Sequence, residues 1–328
     1  MPSRLPLLAA YVTFEAGAVE KIYNLVMVTS DTVFDPSDFY VISKYVEEIA
    51  PEVEVFVVDS RSRSHIARKK AAKRPSLIFS PMQLMAFKPD RGKVYCGRPM
   101  SKIDEMDLLT KAGLPVPAYA ELRPDTPILE ERYGPYALVK AAHAYASFGS
   151  SMELFRIKDV RYRPPESFPE GHDARRGPMF VQKFIDCGKP MNCRVLTLFG
   201  VPIFTYCTQA ILPLALDEKD GPFVRSDFVP TTGNVSTHLE FSPDILLLAR
   251  NAYHAVPDVP LQACDILRDK NGNLHILEIN PGGATWMFST YNSAGYKRVL
   301  GIEDLAAPFD AFRTAAQVLV SKTRTEAI

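Results

Sequence analysis

The segment that most constrains how this chain can fold is LQACDILRDKNGNLHILEINPGG, residues 261–283. Two runs rich in apolar residues flank a polar turn that contains Asn271 and Gly272. An Asn-Gly pair between two such runs is the strongest short-range signal for a β-hairpin, because both residues accept the positive φ angles of a tight turn. The sequence therefore predicts two antiparallel strands, joined through residues 269–273.

The second of these strands carries polar residues at alternate positions. Because side chains alternate along a strand, Glu278 and Asn280 share one face, while Leu277 and Ile279 share the other. Asp265 lies on the first strand, almost symmetrically across the turn, so its carboxylate can converge with the other two polar groups. Oxygen donors without a soft ligand suit Mg²⁺, which predicts a metal site. The alternative is the ordinary polar face of a half-exposed strand.

The amino-terminal part alternates strand-like and helix-like patterns. Short, β-branched runs typical of strands are residues 23–31, 53–60 and 76–81. Residues 37–50 place apolar side chains at helical spacing, with Ser37 or Asp38 as the predicted cap. This alternation predicts a small α/β domain. Residues 1–17 are interpreted as a first strand or its approach and not as a signal peptide, because Pro6 interrupts the apolar stretch.

The rest of the chain contains further strands, loops and helices. Strand patterns cover residues 136–142, 151–157, 179–186 and a hairpin over 192–210. Helices are predicted over 104–112, where Gly113 ends the pattern, and over 303–322. Residues 146–151 form a turn of small residues, and residues 163–178 are rich enough in Pro, Gly and charge to predict a mobile loop. Together these elements indicate a mixed α/β chain.

Composition excludes several classes of function. Lys and Arg number 38, as do Asp and Glu, so no global charge draws the chain to nucleic acid or to an anionic membrane. No apolar run approaches the ~20 residues that span a bilayer. The five cysteines include no CxxC pair, which predicts reduced cysteines in a cytoplasmic protein. The six histidines include no HExxH motif, which argues against a zinc enzyme.

Residues 61–74 are strongly basic and contain no acidic side chain. One interpretation is a docking site for an anionic substrate. A solvated helix face explains the pattern more simply, because acidic residues just before the stretch cancel its charge. We therefore favour the solvated face.

Several motifs, each weak alone, stand in a fixed order. They are SKIDEMDLLTKAGLPVP (101–117), LVK (138–140), VQKFI (181–185), NCRV (192–195) and CDILRDKNGNLHILEINPGG (264–283). This set resembles the ATP-grasp family, the fold of glutathione synthetase and D-alanine–D-alanine ligase, over roughly residues 98–325. The resemblance implies an α/β ATP-grasp fold with a preceding small α/β domain. The implied parts are an amino-terminal domain (1–98), a linker-helix and nucleotide-lid subdomain (99–185), and a carboxy-terminal metal-binding and catalytic subdomain (186–328).

The resemblance also implies a role for each matching residue. The implied cofactors are ATP and one or two Mg²⁺ ions, with Mn²⁺ as an alternative metal. Phosphate contacts fall to Lys102, Lys140, Ser147, Gly149 and Ser150. Adenine contacts fall to Gln182, Lys183, Phe184 and Ile185. The metal ligands would be Asp265, Glu278 and Asn280. The charge of the transferred phosphoryl group or acyl phosphate would be neutralised by Arg194 and Arg225.

Two positions depart from the family pattern. The family usually places an acidic residue after the hinge glutamine, where this chain has Lys183. The family's phosphate loop usually has several glycines, whereas YASFGSS has only Gly149. Backbone amides beside serine can still cradle a phosphate, so these departures leave room for a slower or specialised lid.

The favoured function is an ATP-dependent ligase that activates a carboxylate as an acyl phosphate and joins it to an amine, releasing ADP and phosphate. One alternative is a kinase of the same fold that phosphorylates a hydroxyl. The basic residues 61–74 would fit this alternative if the substrate already carried a phosphate. The other is a nucleotide-binding protein without turnover, which the intact Asp265, Glu278 and Asn280 argue against. The implied partners are small-molecule or peptide carboxylates and amines, without nucleic acid or membrane, and a homodimer is allowed.

Overall fold

Three β-sheets form the framework of the protein, in a computed structural model that describes residues 20–61, 65–84, 86–143, 152–230, 234–282 and 285–328. The strands are β1 (Tyr23–Thr29), β2 (Val53–Asp59), β3 (Ser76–Ser80), β4 (Lys93–Cys96), β5 (Tyr119–Glu121), β6 (Tyr136–Ala141), β7 (Glu153–Arg156), β8 (Met179–Lys183), β9 (Met191–Leu198), β10 (Val201–Ala210), β11 (Phe223–Val224), β12 (Val235–Leu239), β13 (Leu261–Arg268) and β14 (Leu274–Asn280). The helices are α1 (Ser37–Ile49), α2 (His65–Ala71), α3 (Lys102–Lys111), α4 (Glu130–Tyr133), α5 (Arg225–Phe228), α6 (Pro243–Ala255), α7 (Ser293–Leu300) and α8 (Ala311–Glu326). The predicted mixed α/β fold class is confirmed.

The amino-terminal sheet is parallel and has the strand order β2-β1-β3-β4. Its central strands are buried on both faces, which explains why β1 and β3 read as nearly continuous apolar runs. The predicted cap of α1 is wrong: the helix begins after Pro36 without a side-chain cap from Ser37 or Asp38. Asp35 accepts a hydrogen bond from the Ser37 amide at 2.9 Å instead.

One hydrophobic core joins this parallel sheet to the carboxy-terminal part of the chain. It extends from Leu25 and Phe79 to Leu198 and Leu319, with the fully buried Trp286 inside it. The indole N–H of Trp286 donates to the Asp38 carboxylate at 2.8 Å, so the acid that the sequence suggested as a cap connects α1 to the distant segment after β14. The domain boundaries inferred from the sequence stay a prediction.

The other two sheets are antiparallel, with the orders β11-β7-β6-β8-β5 and β12-β10-β9-β13-β14. We call the first the lid sheet and the second the carboxy-terminal sheet. Both predicted hairpins are present: β9 and β10 turn through Phe199 and Gly200, and β13 and β14 turn through Gly272, all three with positive φ. Helix α8 begins at Ala311 and not at 303, because a 3₁₀ turn around Pro308 precedes it.

The expectation of five reduced cysteines is wrong for one pair. Cys193 on β9 and Cys207 on β10 are directly opposed in the strand register, with Cα atoms 4.0 Å apart, and they form a disulfide. The remaining cysteines are free. Spacing in the sequence could not reveal this pair, because only the hairpin register brings the two side chains together.

The basic stretch is mostly engaged in ion pairs. Arg61 pairs with Asp31, Arg74 pairs with Glu54, and an Arg68 nitrogen lies 3.2 Å from Asp90. These partners favour the ion-paired surface over an anion dock. Among the described residues, no helix is both long enough and apolar enough to cross a membrane.

Candidate active site

A cleft of about 570 Å³ lies between the lid sheet and the carboxy-terminal sheet. We call it the inner cleft. Its walls come from the start of α3, from β6, from the segment after β8 and from the β13–β14 hairpin. Among the residues singled out from the sequence, it brings together Lys102, Lys140, Phe184, Ile185, Arg194, Arg225, Asp265, Glu278 and Asn280.

The hairpin places three polar side chains beside one another, those of Asp265, Glu278 and Asn280. Asp265 and Glu278 are direct partners in the antiparallel register. The amide nitrogen of Asn280 lies 3.4 Å from Glu278 Oε1 and 3.5 Å from Asp265 Oδ2. The convergence expected from their spacing around the Asn-Gly turn is therefore present.

A β-bulge alters the other face of the same strand. The register shifts after Asp265, so Ile276 pairs with Ile266 while Leu277 is left without a direct partner. Leu277 is half-buried and lines the inner cleft, whereas Ile276 and Ile279 are buried. The expectation that Leu277 and Ile279 share one face is wrong, because the extra residue breaks the strict alternation.

Strand β14 is at the edge of its sheet, and neighbouring elements satisfy its free backbone groups. Ile276 N–H donates to Pro115 O at 2.8 Å, and the Gln182 side-chain amide donates to Leu277 O at 3.5 Å. Ile279 receives two such contacts: its N–H donates to a Glu105 carboxylate oxygen, and its carbonyl accepts from Lys102 Nζ at 3.2 Å. The strand that carries Glu278 and Asn280 is thus fixed on both edges.

Glu105 is a residue of this site that reasoning from the sequence missed. It is fully buried on α3 and accepts from both Ile279 N–H and Lys102 Nζ, the latter at 3.2 Å. Burial raises the pKa of Glu105 to about 7, although the neighbouring Lys102 ammonium favours the ionised form. Its position four residues before the buried Leu109, on the apolar side of α3, is the signal that could have revealed it.

Cations surround the carboxylates of the hairpin. The Nζ atoms of Lys102 and Lys140 each lie 3.4 Å from Glu278 Oε2. Burial opposes ionisation of Glu278, but Lys102, Lys140 and Arg194 outweigh it and hold the pKa of Glu278 well below its usual range. Likewise, burial disfavours the charged Lys102 ammonium, yet Glu105 and Glu278 hold its pKa above the ordinary value. Glu278 and the cations around it therefore form one ionised cluster at neutral pH.

Arg194 forms a two-pronged ion pair with Asp265, in which both N–O distances are 2.7 Å. Burial disfavours its charge, but Asp265 keeps the pKa of Arg194 well above the ordinary value. The arginine expected to neutralise a phosphoryl group therefore neutralises an expected metal ligand in this state.

The donor set fits Mg²⁺. Two carboxylates and one side-chain amide share one edge of a rigid hairpin, without a soft donor among them. The Asn280 amide nitrogen faces the carboxylates, so ligation through the amide oxygen requires the amide to rotate. Asn192, two residues before Arg194 on the same strand face, also lines the inner cleft. Its side-chain carbonyl oxygen is buried without a hydrogen-bond partner in the described part of the chain. A buried oxygen of this kind requires a partner, which a cation or its water would provide.

Solved structures similar to this chain include ATP-grasp ligases. The ATP-grasp ligase PsnB, complexed with a phosphomimetic variant of minimal precursor, Mg and ADP, has a TM-score of 0.52 at 14% identity, covering 93% of this chain and 100% of that chain. The D-cycloserine synthetase DcsG has a TM-score of 0.51 at 13% identity, with coverages of 90% and 99%. A RiPP-associated ATP-grasp ligase from Chryseobacterium gregarium, in complex with ADP and a leader and core peptide, has a TM-score of 0.51 at 11% identity. The match covers 94% of this chain and 100% of that chain. No protein-family model and no curated protein matches the sequence.

The chain has the ATP-grasp fold. The resemblance drawn from the ordered motifs is thus confirmed at the level of fold, although the sequence identities are low.

Within this ATP-grasp fold, the predicted adenine segment divides between two environments. Phe184 and Ile185 line the inner cleft and offer it an apolar wall. Gln182 is buried behind the cleft, where it contacts Leu277 O, and Lys183 is exposed outside it. The split falls where β8 ends at Lys183, since Phe184 and Ile185 belong to the segment after the strand.

Arg225 is the remaining candidate that the structure describes. Arg225, at the start of α5, lines the cleft, and burial lowers its pKa. The phosphate-loop candidates Ser147, Gly149 and Ser150 lie outside the described residues.

Proposed function

We propose that this chain is an ATP-dependent ligase that activates a carboxylate as an acyl phosphate and joins it to an amine. The observation that carries the proposal is the ionised cluster of the inner cleft, in which Glu278 lies 3.4 Å from both Lys102 and Lys140. Phosphoryl transfer relies on positioning and charge neutralisation more than on acid–base groups, and this cluster supplies both.

The chemistry has two steps. A substrate carboxylate oxygen attacks the γ-phosphorus of ATP, the bond to the β-phosphate oxygen breaks, and ADP leaves. An amine nitrogen then attacks the acyl carbon, phosphate leaves, and the proton of the amine passes to solvent or to the departing phosphate. The products are an amide, ADP and phosphate.

The chain's own residues have distinct roles in these steps. Asp265, Glu278 and Asn280 would hold Mg²⁺, which supplies charge neutralisation at the phosphate oxygens. Lys102 and Lys140 are placed to exchange their contact with Glu278 for contacts with phosphate. Arg194 is anchored by Asp265, and Arg225 lines the same cleft; both can stabilise charge on the transferred group.

The alternatives are less well supported. The kinase hypothesis drew on the basic residues 61–74, but Arg61, Arg68 and Arg74 already have carboxylate partners. A nucleotide-binding protein without turnover would not need Lys102 and Lys140 held by ionised Glu278. We include peptides among the proposed substrates, because the PsnB and Chryseobacterium gregarium structures are complexes with a precursor or with leader and core peptides. Mn²⁺ in place of Mg²⁺, a homodimer and a cytoplasmic location stay predictions.

A screen for product release tests the proposal. The protein is incubated with MgATP and pooled carboxylates and amines, including peptides, and ADP, free phosphate and new amides are measured together. Amide formation with equal ADP and phosphate supports a ligase. ADP without free phosphate would indicate a kinase, and no ADP above the level of a Glu278→Gln variant would indicate a binding protein. Glu303→Gln, at an exposed site outside the inner cleft, is the matched control.

A further inference from the structure

A second cleft, of about 640 Å³, lies on the opposite face of the lid sheet. We call it the outer cleft. Neighbouring residues of β6 show the separation: Leu138 and Lys140 line the inner cleft, whereas Val139 lines the outer one. Alternate side chains of a strand point to opposite faces, so one sheet separates two cavities.

The rim of the outer cleft is rich in arginine. Its exposed members on the loop before β8 are Arg161, Arg163, Arg175 and Arg176. None of these four guanidinium groups forms a salt bridge with a carboxylate of the described residues, whereas Arg123 on the same rim lies 2.6 Å from Glu121. The cleft is also lined by two further acidic residues, Glu153 and Asp159, but its arginines still outnumber its carboxylates, so the net charge of the lining is positive.

Contacts with the loop itself hold several of these arginines in place. Arg161 donates to Val160 O at 2.8 Å, and Arg175 donates to Pro165 O at 3.4 Å. The Arg163 guanidinium lies 4.2 Å from the centre of the Phe168 ring, which itself stacks on His172. Positive groups held close together without counter-charges attract an anionic ligand.

The floor of the outer cleft is apolar. Val139, Phe155 and Met179 are half-buried there and pack against the core beneath the lid sheet. A ligand that matches both surfaces carries acidic groups and apolar groups at once. Nucleic acid would place closely spaced phosphates near Glu153 and Asp159 and leave the apolar floor uncovered. A peptide segment with acidic and apolar side chains matches both surfaces.

The edge strand β5 indicates whether such a peptide would be bound through its backbone or through its side chains. Along β5, Tyr119 O accepts from Arg132 at 2.7 Å, and Glu121 O accepts from Thr126 at 2.7 Å. Since these edge carbonyls already have donors, side chains rather than an added strand would provide the recognition.

We propose that the outer cleft binds a peptide segment whose acidic side chains pair with Arg161, Arg163, Arg175 and Arg176 and whose apolar side chains cover Val139, Phe155 and Met179. This site stands independently of the proposed ligase chemistry. It is nevertheless connected to the inner cleft, because the short turn Asp173–Arg175 lines the inner cleft through Asp173 and the outer cleft through Arg175.

Fluorescence anisotropy tests this site with a fluorescein-labelled peptide of alternating leucine and glutamate residues. The comparison peptide has glutamine in place of glutamate. Inorganic tripolyphosphate and a short single-stranded RNA are competitors. The variants are Arg161→Gln/Arg163→Gln and Arg175→Gln/Arg176→Gln, with Arg250→Gln on the distant helix α6 as control. Arg175→Lys/Arg176→Lys keeps the charge, and thermal melting verifies that each variant folds.

We expect the glutamate peptide to bind more tightly than the glutamine peptide. Each Arg→Gln pair should weaken its binding by about three- to tenfold, since exposed ion pairs are individually modest. The lysine pair and Arg250→Gln should bind almost as well as the unaltered protein. Equal binding of the two peptides, or unchanged binding by both glutamine pairs, would overturn the proposal. Tighter, arginine-dependent binding of RNA or tripolyphosphate would assign the site to phosphate instead.

Discussion

The cations on the two faces of the lid sheet differ in whether they have carboxylate partners. On the inner face, Lys140 and its neighbours already have carboxylate partners, with Glu278 between two ammonium groups. On the outer face, Arg161, Arg163, Arg175 and Arg176 have no carboxylate partner among the described residues. A ligand of the inner cations would have to replace existing ion pairs, whereas an anionic ligand of the outer arginines would displace no carboxylate of the described residues.

This difference has consequences for specificity. A nucleotide entering the inner cleft without a metal would compete with Glu278 for Lys102 and Lys140. Under the proposed function, a divalent cation would give the carboxylates a new partner and leave the lysines free to contact phosphate. The inner cleft should therefore discriminate strongly between ATP and MgATP, and the outer cleft should show no such dependence.

The largest expected effect separates the two faces by turnover. Glu278→Gln keeps the side-chain shape but removes the charge that would face the proposed metal, so kcat should fall on the order of 10²-fold or more. Arg175→Gln/Arg176→Gln on the outer face should leave basal ATP turnover unchanged. Coupled ADP-release kinetics measure both. Near-normal turnover by Glu278→Gln would remove the metal site.

The next effect concerns the strand that carries the inner carboxylates. Ile279 is 1% exposed in the core, so Ile279→Ala should lower the free energy of unfolding by about 2–5 kcal/mol. Leu277→Ala should cost clearly less, because the bulge places Leu277 half-exposed in the cleft. Urea denaturation of both variants provides the comparison. Equal losses would mean that the bulge is absent in solution.

Glu105 provides a smaller and more specific test of the inner cations. In Glu105→Gln the amide oxygen can still accept from Ile279 N–H, but the amide NH2 group then faces the Lys102 ammonium in place of a carboxylate oxygen. We expect kcat to fall by about 10- to 100-fold, as for groups that orient metal-site residues. The KM for ATP should rise as well, because Lys102 loses its anchor. Arg250→Gln is a control for surface substitution, and a change in melting temperature without any kinetic change would reduce Glu105 to a structural residue.

The smallest effect is a pH dependence of stability in EDTA. The folded-state pKa of Glu278 lies below its ordinary value of about 4.5, so ionised Glu278 stabilises the fold above that pH. This contribution is lost as the pH falls through the depressed folded-state pKa. Glu278→Gln should therefore be less stable than the unaltered protein at pH ~7, with the gap closing in acid. If Glu278→Gln were more stable than the unaltered protein at neutral pH, repulsion between the carboxylates would outweigh the attraction between Glu278 and the lysines in their effect on stability.

Much of this framework could be predicted from the sequence, because its signals are local. Period-two alternation located Glu278 and Asn280 on one face, and the Asn-Gly turn located Asp265 opposite them. β-Branched runs located β1, β2 and β3. These features depend on residues close together in the chain, which is where sequence patterns carry most information.

The features that escaped prediction depend on contacts between distant segments. The bulge at Leu277 alters the alternation only in the paired hairpin. Glu105 matters because α3 covers the edge of β14, at a separation of 174 residues. The pairing of Cys193 with Cys207 likewise follows from strand register. No local pattern encodes such partners.

Isothermal titration of ADP, with Mg²⁺ and with EDTA, tests most directly whether Asp265, Glu278 and Asn280 hold a metal beside the nucleotide. We predict that Mg²⁺ tightens ADP binding to the unaltered protein and to Glu303→Gln by at least about tenfold, which is about 1.4 kcal/mol. For Glu278→Gln, the ratio between the two conditions should fall towards one. An equal Mg²⁺ effect in all three proteins, or none in the unaltered protein, would contradict the metal site.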